Sequence, residues 1–198
     1  MRRQNESRAE NSRELVSAEL IERCKRGDRD AWNTLVQATH REVYTLCLRV
    51  LRDPDDAAEA AQDAYIKVWK GLNGFRGEAA FTTWLYRVAS NAAISKQRSR
   101  SRKQSFEAGG DDELVAGLAA PDSTENAAGA RVELQAVERA LATLPEHYRS
   151  AVLLRDVYGL TIAEIASQLK ISETAAKVRV HRGRARLKEI VWPSGARR

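Results

Sequence analysis

With two cysteines, three histidines and one methionine in 198 residues, this chain has little with which to bind a transition metal or to cross-link itself. Cys24 and Cys47 stand in separate apolar-periodic segments, and His40, His147 and His181 are scattered. A zinc site needs about four well-spaced Cys or His ligands, so no metal and no cofactor is expected. The cysteines read as small buried hydrophobes of a reducing compartment. Long apolar runs are missing as well: nothing approaches the roughly 18 residues of a membrane span. The opening MRRQNESRAENSREL is charged and lacks the apolar segment of a secretory signal. Residues 1–16 are therefore expected as a disordered arm on a cytoplasmic protein that has no membrane partner. Proline is scarce, with Pro54 the one proline between Ser17 and Lys103, and no alternation of period two bounded by turns occurs. Sheets are thereby excluded, which leaves an all-α chain.

Charge is what the chain does have. Charged residues make up 30% of it, the net charge is +6 and the isoelectric point is about 9.5, a balance that points to a polyanionic partner. In TTWLYRVASNAAISKQRSRSRK, Thr82 to Lys103, bulky aromatics lead into a basic run in which Lys96, Arg98, Arg100, Arg102 and Lys103 have no acid among them. A soluble domain does not need such a run to fold, so the run implies a partner. At 100° per residue Trp84, Arg87 and Asn91 fall within about 60° of one another, beside the apolar side of Leu85, Val88, Ala89 and Ala92. A stacking ring, a cation and an amide on one stripe suit nucleic acid.

Composition divides the chain into blocks. Residues 17–103 read as four helices: one around Leu20, Ile21 and Cys24, one from Trp32 to Leu51, one started by Asp53-Pro54 with acids in its first turn, and one through Trp84. The loop LNGFRGEAAF separates the last two. Residues 104–130, rich in Gly, Ala, Asp and Ser, read as a flexible acidic linker. Helical periodicity returns over 131–192, and 193–198 form a tail. In this last block Leu134, Val137, Leu141 and Leu144 make one stripe, and Pro145 starts a helix that ends at Gly159. Thr161 and Glu164 then form a T-x-x-E capping box, and Ser172 is a candidate N-cap after a turn at Lys170-Ile171. In the final helix Ala176, Val180, Gly183 and Leu187 repeat as a core stripe, with cations on the other faces. That is a helix-turn-helix. Its reading candidates are Thr174, Lys177, Val178, Arg179, His181 and Arg182, whereas Arg184, Arg186 and Lys188 are expected as phosphate anchors or solvated charges.

Three stretches in this order resemble the sigma-70 family of bacterial initiation factors, in its short two-domain extracytoplasmic-function (group IV) class. DPDDAAEAAQDAYIKVW (Asp53 to Trp69) looks like region 2.2, FRGEAAFTTWLYRVASNAAISKQR (Phe75 to Arg98) like regions 2.3 and 2.4, and LPEHYRSAVLLRDVYGLTIAEIASQLKISETAAKVRVHRGRARL (Leu144 to Leu187) like region 4. Ala58 stands where the family commonly has Glu. The resemblance implies a sigma-2-like domain of four helices and a sigma-4-like helix-turn-helix domain joined by the linker. It implies that Asp56, Glu59, Gln62 and Asp63 dock on the β′ clamp helices of RNA polymerase core. Promoter DNA at the −10 element would be held by Phe75, Arg76, Glu78, Ala79, Trp84, Tyr86, Arg87, Asn91 and Arg98. The second domain would read the −35 element and rest on the β flap. An anti-sigma factor is implied as a further partner.

Two rival readings fail on the residues. A response-regulator front end needs alternating strands and helices, which are absent. A nucleic-acid enzyme needs a nucleophile or metal-binding carboxylates in a cleft, and Asp55, Asp56, Glu59 and Asp63 sit instead at the start of one helix, where acids complement the dipole and form a docking face. No catalytic residue is expected.

Overall fold

A computed structural model describes residues 16–77, 80–108 and 128–192. Among these residues there are eight α-helices and no strand. The chain divides into two compact units, Met1–Arg100 and Ser101–Arg198.

The first unit holds α1 (Ala18–Lys25), α2 (Arg29–Leu51), α3 (Pro54–Gly71), a 3-10 turn (Leu72–Gly74) and, as far as Arg100, α4 (Phe81–Ala108). Side-chain oxygens start the first three helices, taking N–H groups that have no partner within the helix. Ser17 accepts from Leu20 N–H, Asp28 from Asp30 and Ala31, and Asp53 from Asp55 and Asp56. Two backbone N–H donors and the Arg23 guanidinium hold the Asp28 carboxyl below its ordinary range. Leu35, Leu46, Leu72, Leu85 and Ile94 are fully buried. Alanines 57, 60, 61 and 64 give α3 a thin buried face, so the helices approach closely. One polar link crosses this core. Thr39 donates to the Leu35 carbonyl at 2.8 Å and shares a 2.8 Å bond with the Tyr65 hydroxyl. With the threonine proton committed, Tyr65 is the donor, and burial pushes its phenol up to about 12. Cys47 is also pushed up to about 12 by burial, and burial raises Cys24 as well. Both thiols are buried and reduced, as the sequence predicts.

The second unit holds α5 (Ala128–Thr143), α6 (Glu146–Val152), α7 (Ile162–Leu169) and α8 (Glu173–Val191). After α6 the chain widens into a π-turn over Leu153–Val157 in place of the continuous helix expected up to Gly159. Residues 151–154 are all buried. Four consecutive positions cover about 300° of a helix, so this segment is packed on every side. Both halves of the capping box are present, with Thr161 N–H donating to Glu164 Oε2 at 2.8 Å and Glu164 N–H to Thr161 Oγ1 at 3.3 Å. Lys170 closes α7 in the left-handed region at φ 50°, and Ser172 caps α8. Helix α8 lies against α6 at Gly183, where a Cβ would come within 2.6 Å of Val152 Cγ2 and 3.2 Å of the Tyr148 carbonyl oxygen.

Candidate nucleic-acid interface and docking face

The surface of the first unit is organised by the phase of α4. Leu85, Ala89, Ala92, Ala93 and Ile94 are buried, which leaves a solvent-side stripe of Trp84, Arg87, Asn91 and Arg98, of which Asn91 is exposed and the other three are half-buried. Taking Trp84 as zero, Arg87, Asn91 and Arg98 fall within about 60° of it, whereas Lys96 and Arg100 lie about 120° and 160° away. Those two cations face the acids of α3. Lys96 Nζ pairs with Glu59 and stands 3.4 Å from Asp56, and Arg100 Nη1 lies 3.3 Å from Asp56 and 3.8 Å from Asp53. The Glu59 hydrogen bond is the main cause that raises Lys96 above its ordinary value.

The basic run therefore finds some of its partners inside the chain, which corrects the reading that all of it implies an external one. Of the docking candidates, Asp56 and Glu59 pair with α4, and Glu59, Gln62 and Asp63 are exposed.

The start of the loop carries an aromatic cluster. Phe75 lies 5.5 Å from Phe81 and 5.3 Å from Trp84, ring centre to ring centre. Trp84 also covers Gly71, where a Cβ would sit 3.5 Å from Trp84 Cζ2. Phe75 and Trp84 are thus half-buried, each packed on one side and open on another. Arg76 is exposed, Tyr86, Arg87 and Arg98 are half-buried, and Asn91 is exposed. Glu78 and Ala79 lie outside the described residues.

Sequence reasoning assigned no role to one patch. Ile66 and Trp69 are 46% and 45% exposed. Trp69 meets Trp32 edge-on with ring centres 4.9 Å apart, beside Arg29 and Asn33. Gln62, Ile66 and Trp69 follow at i, i+4 and i+7 on one side of α3. That spacing was the available signal, but an apolar pair at helical spacing more commonly faces a core.

In the second unit α8 presents an outer face opposite its core stripe. Thr174, Lys177, Val178 and His181 fall within about 100° of one another, Arg182 borders them, and Arg179 is rotated about 140° from Thr174. Arg179 is accordingly half-buried, and the other five are exposed. Two of the expected phosphate anchors have internal partners. Arg184 makes a two-pronged ion pair with Asp156, its Nε 2.9 Å from Oδ2. The Arg186 guanidinium lies 4.8 Å over the Tyr148 ring. Among the described residues there is no cluster of His, Cys, Asp and Glu able to hold a metal.

Comparison with known proteins agrees with this division. Residues 35–103 match the family model for sigma-70 region 2, and residues 134–187 match that for sigma-70 region 4. The chain is 33% identical to the RNA polymerase sigma-H factor of Pseudomonas aeruginosa over 180 residues, 88% of this chain and 93% of that protein. It is 32% identical to the ECF RNA polymerase sigma-E factor of Escherichia coli, covering 92% of this chain and 97% of the relative. Identity to the ECF RNA polymerase sigma factor SigW of Bacillus subtilis is 30%, over 89% of this chain and 97% of that one. Among solved structures, the fold is similar to the sigma factor RpoE in complex with the anti-sigma factor NepR from Bartonella quintana. That likeness has a TM-score of 0.56 at 23% identity and covers 80% of this chain and 95% of that one. A similar likeness holds for CnrH in complex with the cytosolic domain of CnrY, at a TM-score of 0.52 and 22% identity over 87% and 94% of the two chains.

Proposed function

Because the chain belongs to the sigma-70 family, in its extracytoplasmic-function group, we propose a division of labour among its surfaces. The protein is an initiation factor that binds RNA polymerase core and directs promoter-specific transcription. The exposed Gln62, Asp63, Ile66 and Trp69 of α3, with Trp32 beside them, form the primary contact with the β′ clamp helices. An apolar centre bordered by polar groups is the usual anatomy of such an interface. Asp56 and Glu59 contribute through the ion pairs they already make with α4.

The observation that carries the DNA assignment is the phase of α4, which sets Trp84, Arg87, Asn91 and Arg98 apart from the cations that α3 occupies. This stripe, with Phe75 and Arg76 at its head, captures the melted non-template strand of the −10 element. Unstacking costs free energy, and a stacked base returns about 1–3 kcal/mol. The outer face of α8 reads the −35 element through Thr174, Lys177, Val178, His181 and Arg182, and Arg179 borders it. The factor itself performs no chemistry and acts in the cytoplasm, beside the polymerase core it binds; among the described residues no helix is long and apolar enough to cross a membrane. Both similar solved structures are named as complexes, one of them with an anti-sigma factor, which supports an anti-sigma partner for this chain.

The test is a pull-down of polymerase core followed by run-off transcription from a genomic promoter library. Core-dependent binding, with initiation downstream of a shared pair of motifs, is the expected result. Tight binding to duplex DNA without polymerase, and no stimulated transcription, would overturn it.

A further inference from the structure

The contacts of Lys25 assign it a task that the docking and reading surfaces leave open. It is the last residue of α1, and its side chain is only 22% exposed. Its ammonium donates to the Phe75 carbonyl oxygen at 3.1 Å, fifty positions along the chain, and pairs with Glu22 at 2.8 Å. The same nitrogen stands 6.0 Å from the centre of the Phe75 ring. Phe75 N–H closes the 3-10 turn on the Leu72 carbonyl at 3.0 Å. Beyond that bond the backbone leaves helical hydrogen bonding, so the Phe75 carbonyl is the first acceptor of the loop.

We propose that Lys25 is a positioning residue for strand capture, fixing Phe75 at the entrance of the loop so that its ring stays against Trp84 with one face presented to an unstacked base. The proposal rests on the reading of Phe75 and Trp84 as part of the −10 surface, and adds to it a residue from outside that surface. A charge-assisted hydrogen bond to the carbonyl sets the backbone, and the ammonium near the ring favours the same placement. Glu22 holds the ammonium in register between the two. A peripheral ion pair of this kind contributes little to folding, so its effect falls on the geometry of the loop.

The experiment uses holoenzyme formed with full-length chain carrying Lys25→Met or Lys25→Arg, and a promoter selected from the library. Open-complex formation is measured on intact duplex and on templates with an abasic site at each non-template −10 position. Lys25→Met should slow opening about three- to tenfold on intact template, the scale of one ordinary hydrogen bond. That deficit should shrink below about twofold where the captured base is missing, and Lys25→Arg should restore opening to within about twofold, since it keeps the charge and the donor. Core affinity and melting temperature should stay at wild-type values.

An equal deficit on intact and abasic templates, no deficit on intact template, or a parallel loss of core binding would overturn the proposal. A wild-type holoenzyme indifferent to every abasic site would sink the −10 reading itself, and the role of Lys25 with it.

Discussion

Two cationic helices end the two units, and they dispose of their charges in the same way by different means. On α4, Lys96 and Arg100 turn toward carboxylates of a neighbouring helix, and Arg98 stays on the solvent stripe with Trp84 and Asn91. On α8, Arg184 goes to Asp156 and Arg186 to a tyrosine ring, and Lys177 and Arg182 remain on the outer face. On α4 the cations that bind the protein stand about 160° around the axis from Arg98, whereas on α8 Arg184 lies within about 20° of Lys177 and Arg186 within about 40° of Arg182, one to two turns further along. The difference lies in how the helix is seated. Helix α8 is pressed against α6 at a glycine, whereas α4 buries an apolar stripe of Leu85, Ala89, Ala93 and Ile94 and adds ion pairs to α3 at the surface. The number of positive charges in a helix is therefore a poor guide to its DNA contacts: on α4 angular position sorts them, and on α8 position along the axis does.

The seating of α8 is the larger lever. Gly183→Ala puts a methyl group 2.6 Å from Val152 Cγ2, and this overpacking should destabilise the second unit by about 1–3 kcal/mol. Chemical denaturation followed by circular dichroism would show it as an early transition confined to that unit. Next in size is Arg182→Ala, which should lower discrimination at the −35 element by about 1–3 kcal/mol in a competition between promoter and random DNA. Equal loss on both DNAs would remove Arg182 from the reading face and weaken the parallel between the helices.

A smaller contrast separates neighbours on α4. Arg98→Ala should flatten the salt dependence of strand binding by about 0.7 in log–log slope, the value for one phosphate of a single strand. Arg100→Ala should change that slope by less than about half as much, because its guanidinium already answers Asp53 and Asp56. Similar changes in both would mean that the angular argument fails. Smallest is Lys96→Gln, which should leave the melting temperature nearly unmoved, since an exposed pair contributes little. A large drop would make these ion pairs part of the seating of α4, as close contact is for α8.

How much of this was legible beforehand depends on distance along the chain. The starts of α3, α7 and α8 could be read from Asp53, Thr161 and Ser172 because each cap closes within three residues. The core stripe of α8 was legible for the same reason, since Ala176, Val180 and Gly183 recur within one helix. The partners of Lys96 and Arg100 were not: Glu59 and Asp56 lie 37 and 44 positions upstream, and no local period links them. The link between Lys25 and Phe75 spans still more of the chain. Ile66 and Trp69 were misleading for a different reason. Their spacing matches a buried stripe, and only the face that α3 actually buries, Ala57, Ala60, Ala61, Ala64, Tyr65 and Val68, shows that they point elsewhere. The π-turn at Leu153–Val157 left no mark in composition.

The phase of α4 has a consequence for how this sequence tolerates change in length. Inserting a single residue between Ala92 and Lys96 would turn every later side chain by about 100°. Arg98 would leave the line of Trp84 and Asn91, and Lys96 would lose its alignment with Glu59, although no charged group had been removed. A seven-residue insertion at the same point would restore the phase to within about 20° but carry Lys96 about 10 Å further along the axis, away from Glu59. The helix thus behaves as a ruled cylinder on which composition can drift but neither register nor spacing can.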